Sequence, residues 1–323
     1  MRLAKLDEGL ENKKLAVPIK SKEGSKLINE GVVLSIRVIE RLKNSGLYAV
    51  YIEDDNYDIE LQETVDVDRR AKIFTKLQQV YSGIEKNEFN NIDLLRFIRM
   101  ELLPEIKNEP VSLPANEIME KDDLIQHSMN VAILAVRTAS ILKLNTEKIE
   151  MAAFIALMHD IGKLLKKKDP NLKDIPHYEA AFDFMKRKNC SVLTYMSVRF
   201  QTETYDGKGA YKVEKEKQLD LVKILSICDF YETQLRSSSL MTYECFEQTQ
   251  ALVNIKFDPA IFQAFHEALY IYPVGLPVRL NNKAEGVIIK QNQSYPLRPV
   301  VKIADKYYNL MENLSLFIEK VAI

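Results

Sequence analysis

Tryptophan is absent from this 323-residue chain, histidine occurs 4 times, cysteine 3 times, and glycine and proline number only 10 and 11. The cysteines, Cys190, Cys228 and Cys245, form no CxxC pair and are odd in number, which excludes a disulfide scaffold or a cysteine-rich zinc module and fits a reducing compartment. Charge of one sign is missing too. A formal net charge of −1 offers no global field for nucleic acid or an anionic membrane, so DNA is not an expected partner. No apolar run approaches a membrane span, and MRLAKLDEGLENKK at the N-terminus lacks an apolar signal region. The expectation is a cytoplasmic protein without membrane insertion, long enough for two or three units. No internal repeat or low-complexity tract interrupts it.

What is present divides into four parts. Residues 1–65 read as a small α+β domain: Ser35 to Asn44 has helical apolar spacing ended by Gly46, and Leu47 to Ile52 alternates like a strand. From Glu53 to Asp68 there are eight acids and no base, the pattern of a solvated connection. Residues 66–115 read as a helical linker, with Leu77, Val80, Ile84, Leu94, Leu95 and Ile98 at helical spacing up to Leu103, then Pro104, Pro110 and Pro114. Helices dominate 116–272. Beyond Pro273, short β-branched runs separated by Asn281-Asn282 and Asn292 predict a small antiparallel β segment over 273–323.

Chemistry concentrates in the third part, where all four histidines fall and three of them, His127, His159 and His177, lie close together. MAAFIALMHDIGK, Met151 to Lys163, ends an apolar run in His159-Asp160, then Gly162 and Lys163. An imidazole beside a carboxylate offers two ligands to one divalent ion, and Asp160 could bridge to a second. Lys163 places an ammonium where a metal-bound phosphate oxygen would lie. His127 sits in DDLIQHSMNVAILAVRTASIL, apolar nearly all round, so its helix is expected to be buried and its imidazole to face something polar. Asp229 follows another apolar run, LDLVKILSICDFYETQL, and a carboxylate there needs a partner: a metal, or else a cation such as Lys163. His177 either ligates or caps the helix after Ile175-Pro176. His266, on an amphipathic helix, and Lys166, Lys167 and Lys168, at a helix end, read as structural and solvated.

The order His127, His159-Asp160, Asp229 resembles the HD phosphohydrolase superfamily. The chain is more closely similar to the HD-GYP group, whose active members hydrolyse cyclic di-GMP, because QTETYDGKGAY, Gln201 to Tyr211, lines up with that group's HHExxDGxGYP. The resemblance extends to Ile271–Val301 and to LAVPI and EGVVLSIRVIERLKNSGLYAVYIED near the N-terminus, close to the whole chain. It implies a mainly α fold, an HD-type helical bundle with the α+β unit before it and the β segment after it. It also implies one or two divalent ions, iron or manganese, held by His127, His159, Asp160, Asp229 and His177. Asp160 and Lys163 would then be catalytic, and Lys163, Asp206 and Arg236 would bind a nucleotide or cyclic dinucleotide. Asp123, four residues before His127, matches an acidic position some members use for a further metal. A homodimer is suggested by the helical linker.

The departures cluster in the second half of that site. Gln201 and Thr202 replace the paired histidines, and Gly209, Ala210 and Tyr211 replace Gly-Tyr-Pro, while Glu203, Asp206 and Gly207 remain. Where the family places a substrate-binding arginine and tyrosine, Ser238 and Leu240 fall, so Arg236 serves only if the loop shifts. Two functions stay open: a metal-dependent phosphodiesterase of a second-messenger pathway, or a non-catalytic descendant binding a nucleotide or a protein partner.

Overall fold

The computed structural model of the protein describes residues 1–59, 61, 65, 67–106, 109–113, 123–237, 240–292 and 295–322. Strand β1 (Arg2–Lys5) is followed by the short pair β2 (Ile19–Lys20) and β3 (Lys26–Ile28), helix α1 (Ile36–Asn44) and strand β4 (Ala49–Ile52). Ser35 caps α1 by accepting a hydrogen bond from the Val38 amide at 3.4 Å. β1 and β4 pair antiparallel, Leu3 opposite Tyr51 and Ala4 opposite Val50. Because successive side chains alternate faces, Ala4 and Val50 join Leu15, Ile19, Leu34 and Ile39 on one side. Leu3, Ala49 and Tyr51 join Leu276, Val278, Ile288 and Val301 of the C-terminal sheet on the other. The two chain ends therefore share a core.

The helical stretch expected as far as Leu103 is divided. α2 (Val67–Glu85) stops before Asn87, whose φ of 61° is left-handed, and α3 (Asn91–Phe97) restarts where Asn90 accepts from the Ile92 amide at 2.9 Å. Asparagine suits both positions, and that substructure hides inside an apolar spacing that runs on across it. Of the proline linker, Pro114 and residues 114–122 lie outside the described residues. Val111 is pinned to the end of the helical part, its amide donating to the Ala268 carbonyl at 2.6 Å and its carbonyl accepting from the Tyr270 amide at 2.9 Å.

The bundle comprises α4 (Leu124–Ile141), α5 (Thr146–Met158), α6 (Ile161–Lys168), α7 (His177–Arg187), α8 (Val192–Arg199), α9 (Asp220–Ser237), α10 (Thr242–Ala251) and α11 (Pro259–Glu267). α4 is its axis. Every residue from Gln126 to Ala139 is buried, and α4 packs on α5, α9 and α11, as its all-round apolar sequence requires. His266 stacks on Phe262 and Phe246 inside α11's contacts. β5 (Pro277–Leu280), β6 (Glu285–Lys290), β7 (Val300–Ile303), β8 (Lys306–Asn309) and β9 (Ile318–Val321) close the chain as one antiparallel sheet ordered β8-β7-β6-β5-β9. The fold is mainly α with a small C-terminal sheet. Among the described residues no helix is long and apolar enough to cross a membrane, and all three cysteines are free and buried.

Candidate metal centre

The His-Asp dipeptide lies at a corner between two helices. α5 ends at Met158, Asp160 takes φ −106° and ψ 4°, and α6 starts at Ile161, so His159 continues α5's direction while Asp160 stands at the N-terminal end of α6, where the helix field favours its negative charge. Gly162 then matters for space rather than for backbone freedom. A Cβ there would lie 1.8 Å from the His177 carbonyl oxygen, so only glycine lets the first turns of α6 and α7 meet. That contact brings His177 Nε2 to 3.2 Å from Asp160 Oδ1, so His177 points into the site rather than capping its own helix. Gly162→Ala is expected to part the two turns, costing about 1–3 kcal/mol as overpacking does and lowering metal affinity. Thermal unfolding together with metal titration checks this; an unchanged protein would contradict the packing argument.

Donors from α4, the α5–α6 corner and α9 come together. His127 Nε2 is 3.2 Å from His159 Nε2, 3.2 Å from Asp229 Oδ1 and 3.6 Å from Asp160 Oδ2, and His159 Nε2 is 3.5 Å from each of those carboxylate oxygens. Ligands at about 2.1 Å from a common ion are about 3.0–3.4 Å apart; His127, His159 and Asp160 form a set that could hold a divalent cation, and Asp229 adjoins it through both imidazoles. The far side of each ring agrees. His159 Nδ1 meets the Ala156 carbonyl at 2.8 Å, and a carbonyl only accepts, so that nitrogen carries the proton. His127 Nδ1 meets the Glu232 carboxylate. Both Nε2 atoms are thereby aimed at the centre, the arrangement in which a deprotonated histidine ligates metal.

Without metal the cluster balances its own charge. Burial works against the His127 imidazolium, but Asp229 and Glu232 beside it raise its pKa to about 10. Burial also works against the Asp160 carboxylate, which His159 and His177 nonetheless hold ionised below the usual carboxylate range. Asp229 is held down by hydrogen bonds from His127 and His159 against the same penalty. A metal ion must therefore displace the His127 proton. Because that pKa is raised, the proton stays bound until pH rises towards about 10. Apparent metal affinity should then climb about tenfold per pH unit between roughly 6 and 9, which isothermal titration across that range measures; a flat profile would contradict the assigned protonation.

Behind the ligands lies a buried polar layer that the sequence reading missed. Glu232 is 0 % exposed, one helical turn after Asp229 on α9. Besides His127 it accepts from Arg236 Nη2 at 2.6 Å and from Asn130 Nδ2 at 3.0 Å, and Asn130 in turn accepts from Arg70 Nη2 at 3.0 Å. The signal was available, since Asp229 with Glu232, and His127 with Asn130, are i,i+3 pairs that must share a face.

The other predicted site residues divide between those that reach the cluster and those that do not. Lys163 bonds Asp160 Oδ2, so the cation expected as the alternative partner of Asp229 pairs with its neighbour instead. Arg236 stands behind His127, salt-bridged to Glu232 and bonded to Gln126 Oε1 at 3.4 Å, with no direct contact to the four donors. A guanidinium four residues after a buried carboxylate is captured by it. Asp206 holds its own loop, accepting from Thr204 Oγ1 at 2.7 Å and from the Lys208 amide at 3.2 Å, and no bond of it reaches the cluster. Asp123 caps α4 through one oxygen, accepting from the Ile125 and Gln126 amides at 3.1 and 3.0 Å, and takes Lys22 Nζ at 2.6 Å on the other.

The segment aligned with HHExxDGxGYP acts mainly as scaffold. Gln201 Nε2 donates to the His159 carbonyl at 2.9 Å and to the Val198 carbonyl at 3.0 Å, clamping α8 to the His-Asp corner; Thr202 is exposed. Buried Glu203 accepts from the Tyr211 and Val213 amides at 2.6 and 2.7 Å, and a Cβ on Gly209 would fall 2.5 Å from its Cα. Tyr211 packs against Phe200 and Tyr178, and its hydroxyl meets Glu179.

Residues 124–234, from α4 through most of α9, match the family model of the HD domain, the superfamily that the order of histidines and aspartates resembles. Over 193 residues it is 28% identical to the cyclic di-GMP phosphodiesterase PA4108 of Pseudomonas aeruginosa. That similarity takes in 55% of this chain and 47% of the relative, so the chain spans about half the length of the curated relative it matches. Among solved structures it is similar to Bd1817, an HDG"Y"P protein from Bdellovibrio bacteriovorus, with a TM-score of 0.48 and 15% identity over 82% of this chain and 98% of that one.

Proposed function

We propose that the protein is a metal-dependent phosphohydrolase that cleaves a nucleotide phosphodiester, with cyclic di-GMP the first candidate because a relative is named for that activity. One observation carries the reading: His127, His159, Asp160 and Asp229 present four donors at coordination spacing, with both imidazoles fixed from behind. A divalent ion there supplies Lewis acidity to a phosphoryl oxygen and lowers the pKa of a bound water. Iron or manganese suits the mixed nitrogen and oxygen set. His127, His159 and Asp229 hold the site, and Asp160 supplies the carboxylate next to which water is oriented. Lys163, half-exposed and one turn into α6, turns from Asp160 to the phosphate as charge builds there.

Asp160 Oδ1 and His177 Nε2 could hold a second ion, but Gln201 spends its amide on backbone carbonyls, so such an ion would be held more weakly. The reading is one tight site and one loose one. A different function, a non-catalytic nucleotide-binding effector, is favoured by Asp123 and Arg236, which both serve protein partners here. Incubating manganese- or iron-loaded protein with cyclic di-GMP and following linear products by chromatography separates the two. Turnover that stops on chelation supports the hydrolase; binding without turnover supports the effector.

A further inference from the structure

Lys256 lies in the turn between α10 and α11, and it differs from the other cations around the site in its partners. Lys163 is bound to Asp160, Arg236 to Glu232, Arg199 to Glu179 and Lys223 to Asp258. No carboxylate oxygen of the described residues comes within 4.0 Å of Lys256 Nζ. Its ammonium instead rests on aromatic faces, 4.4 Å from the centroid of Phe230 and 5.6 Å from that of Phe257. Phe230 directly follows Asp229. The turn is strapped to the loop after Gln201, since the Lys256 carbonyl accepts from the Tyr205 amide at 3.0 Å and the Ile255 carbonyl from the Asp206 amide at 3.0 Å. Lys256 is thus held, half-buried, over the ring that follows Asp229 and within that carboxylate's electrostatic reach.

The cluster opens on that side. The Asp229 side chain is 36% exposed, against 8%, 0% and 2% for His127, His159 and Asp160. Burial disfavours the charged form of Lys256, and Asp229 is the anion that opposes this. A divalent ion on Asp229 would cancel that attraction and leave a half-buried ammonium without a counter-charge. An oxyanion reaching the cluster from the Asp229 side would restore it, bonded to the ion by one oxygen and to Lys256 by another. We infer that Lys256 is a second phosphate-binding cation of this site, opposite Lys163, and helps to set its preference for a phosphoryl substrate. The inference rests on the phosphohydrolase reading.

The test compares manganese-loaded wild type with Lys256→Met and Lys256→Arg, measuring metal content by elemental analysis and inorganic phosphate affinity by calorimetry. Loss of a charge-assisted hydrogen bond should weaken phosphate binding about ten- to a hundredfold in Lys256→Met. Metal content should be unchanged or higher, because a nearby positive charge has gone. Lys256→Arg should keep most of the phosphate affinity. A merely structural residue would instead lower metal retention, with charge giving no rescue. Equal phosphate affinity in wild type and Lys256→Met, or no phosphate binding by loaded wild type, overturns the assignment. Wild type that takes up no metal overturns the reading beneath it, and the metal count alone tells the two failures apart.

Discussion

Asp160→Ala should empty the metal site and abolish phosphodiester cleavage while the helical circular dichroism signal stays intact. Asp160 gives one oxygen to the cluster and the other to His177, so under the proposed function its loss would remove a ligand of the tighter site and the carboxylate shared with a weaker one. Loss of metal activation is worth about 4 kcal/mol or more, on the order of a thousandfold in rate. The fold should survive. Lys163 and His177, its two outer partners, are exposed enough to find water, and α6 keeps its packing on α7. Elemental analysis and a rate measurement on the same preparation check it, and a variant that retains metal at wild-type stoichiometry would remove Asp160 from the ligand set.

Glu232→Ala should be the most destabilising single change at the site. It leaves Arg236 and the His127 imidazolium facing each other without the carboxylate between them, in surroundings where their side chains are 5% and 8% exposed. Breaking a buried ion pair on one side costs about 3–5 kcal/mol, and at about 2–4 °C per kcal/mol for a unit of this size the melting temperature should fall by about 10 °C. Glu232→Gln separates charge from shape. The amide oxygen can still accept from His127 Nδ1, so most of the stability should return while metal affinity stays about ten- to a hundredfold low. Equal melting temperatures for wild type and Glu232→Ala would show that the layer behind His127 carries little of the fold.

The parts of this site that were legible in the sequence were those set by scarcity and burial. Four histidines in a long chain, two of them embedded in apolar helices, left few ways to satisfy their polarity, and His127, His159, Asp160, His177 and Asp229 do converge. The partners of the cations were not legible. Lys163 could have reached Asp229 or Asp160, and only the corner at Asp160 decides for the adjacent carboxylate. Arg236 reads as a substrate ligand only through the family resemblance and a shifted loop, and buried Glu232 holds it instead. The Lys22–Asp123 and Arg70–Asn130 bonds join residues 101 and 60 positions apart, which no local pattern encodes.

The fold divides in the same way. Helices α4, α5 and α9 follow from apolar spacing, and the terminal antiparallel sheet from β-branched runs between asparagines. The break at Asn87 did not show, because an αL asparagine leaves the flanking hydrophobic pattern uninterrupted. Nor did the core shared by the chain ends, where the Tyr51 hydroxyl donates to the Val274 carbonyl across 223 residues. The alternation over Leu47–Ile52 predicts a strand, but not that β1 pairs with it or that both its faces are buried.

Metal stoichiometry of anaerobically purified protein, wild type beside His127→Ala, tests the central claim most directly. One to two iron or manganese ions per chain in the wild type, and a loss of at least one in the variant, is the predicted result. A wild type that holds no divalent ion even after loading at pH 8 would contradict it, leaving His127, His159, Asp160 and Asp229 as a self-neutralising buried charge cluster.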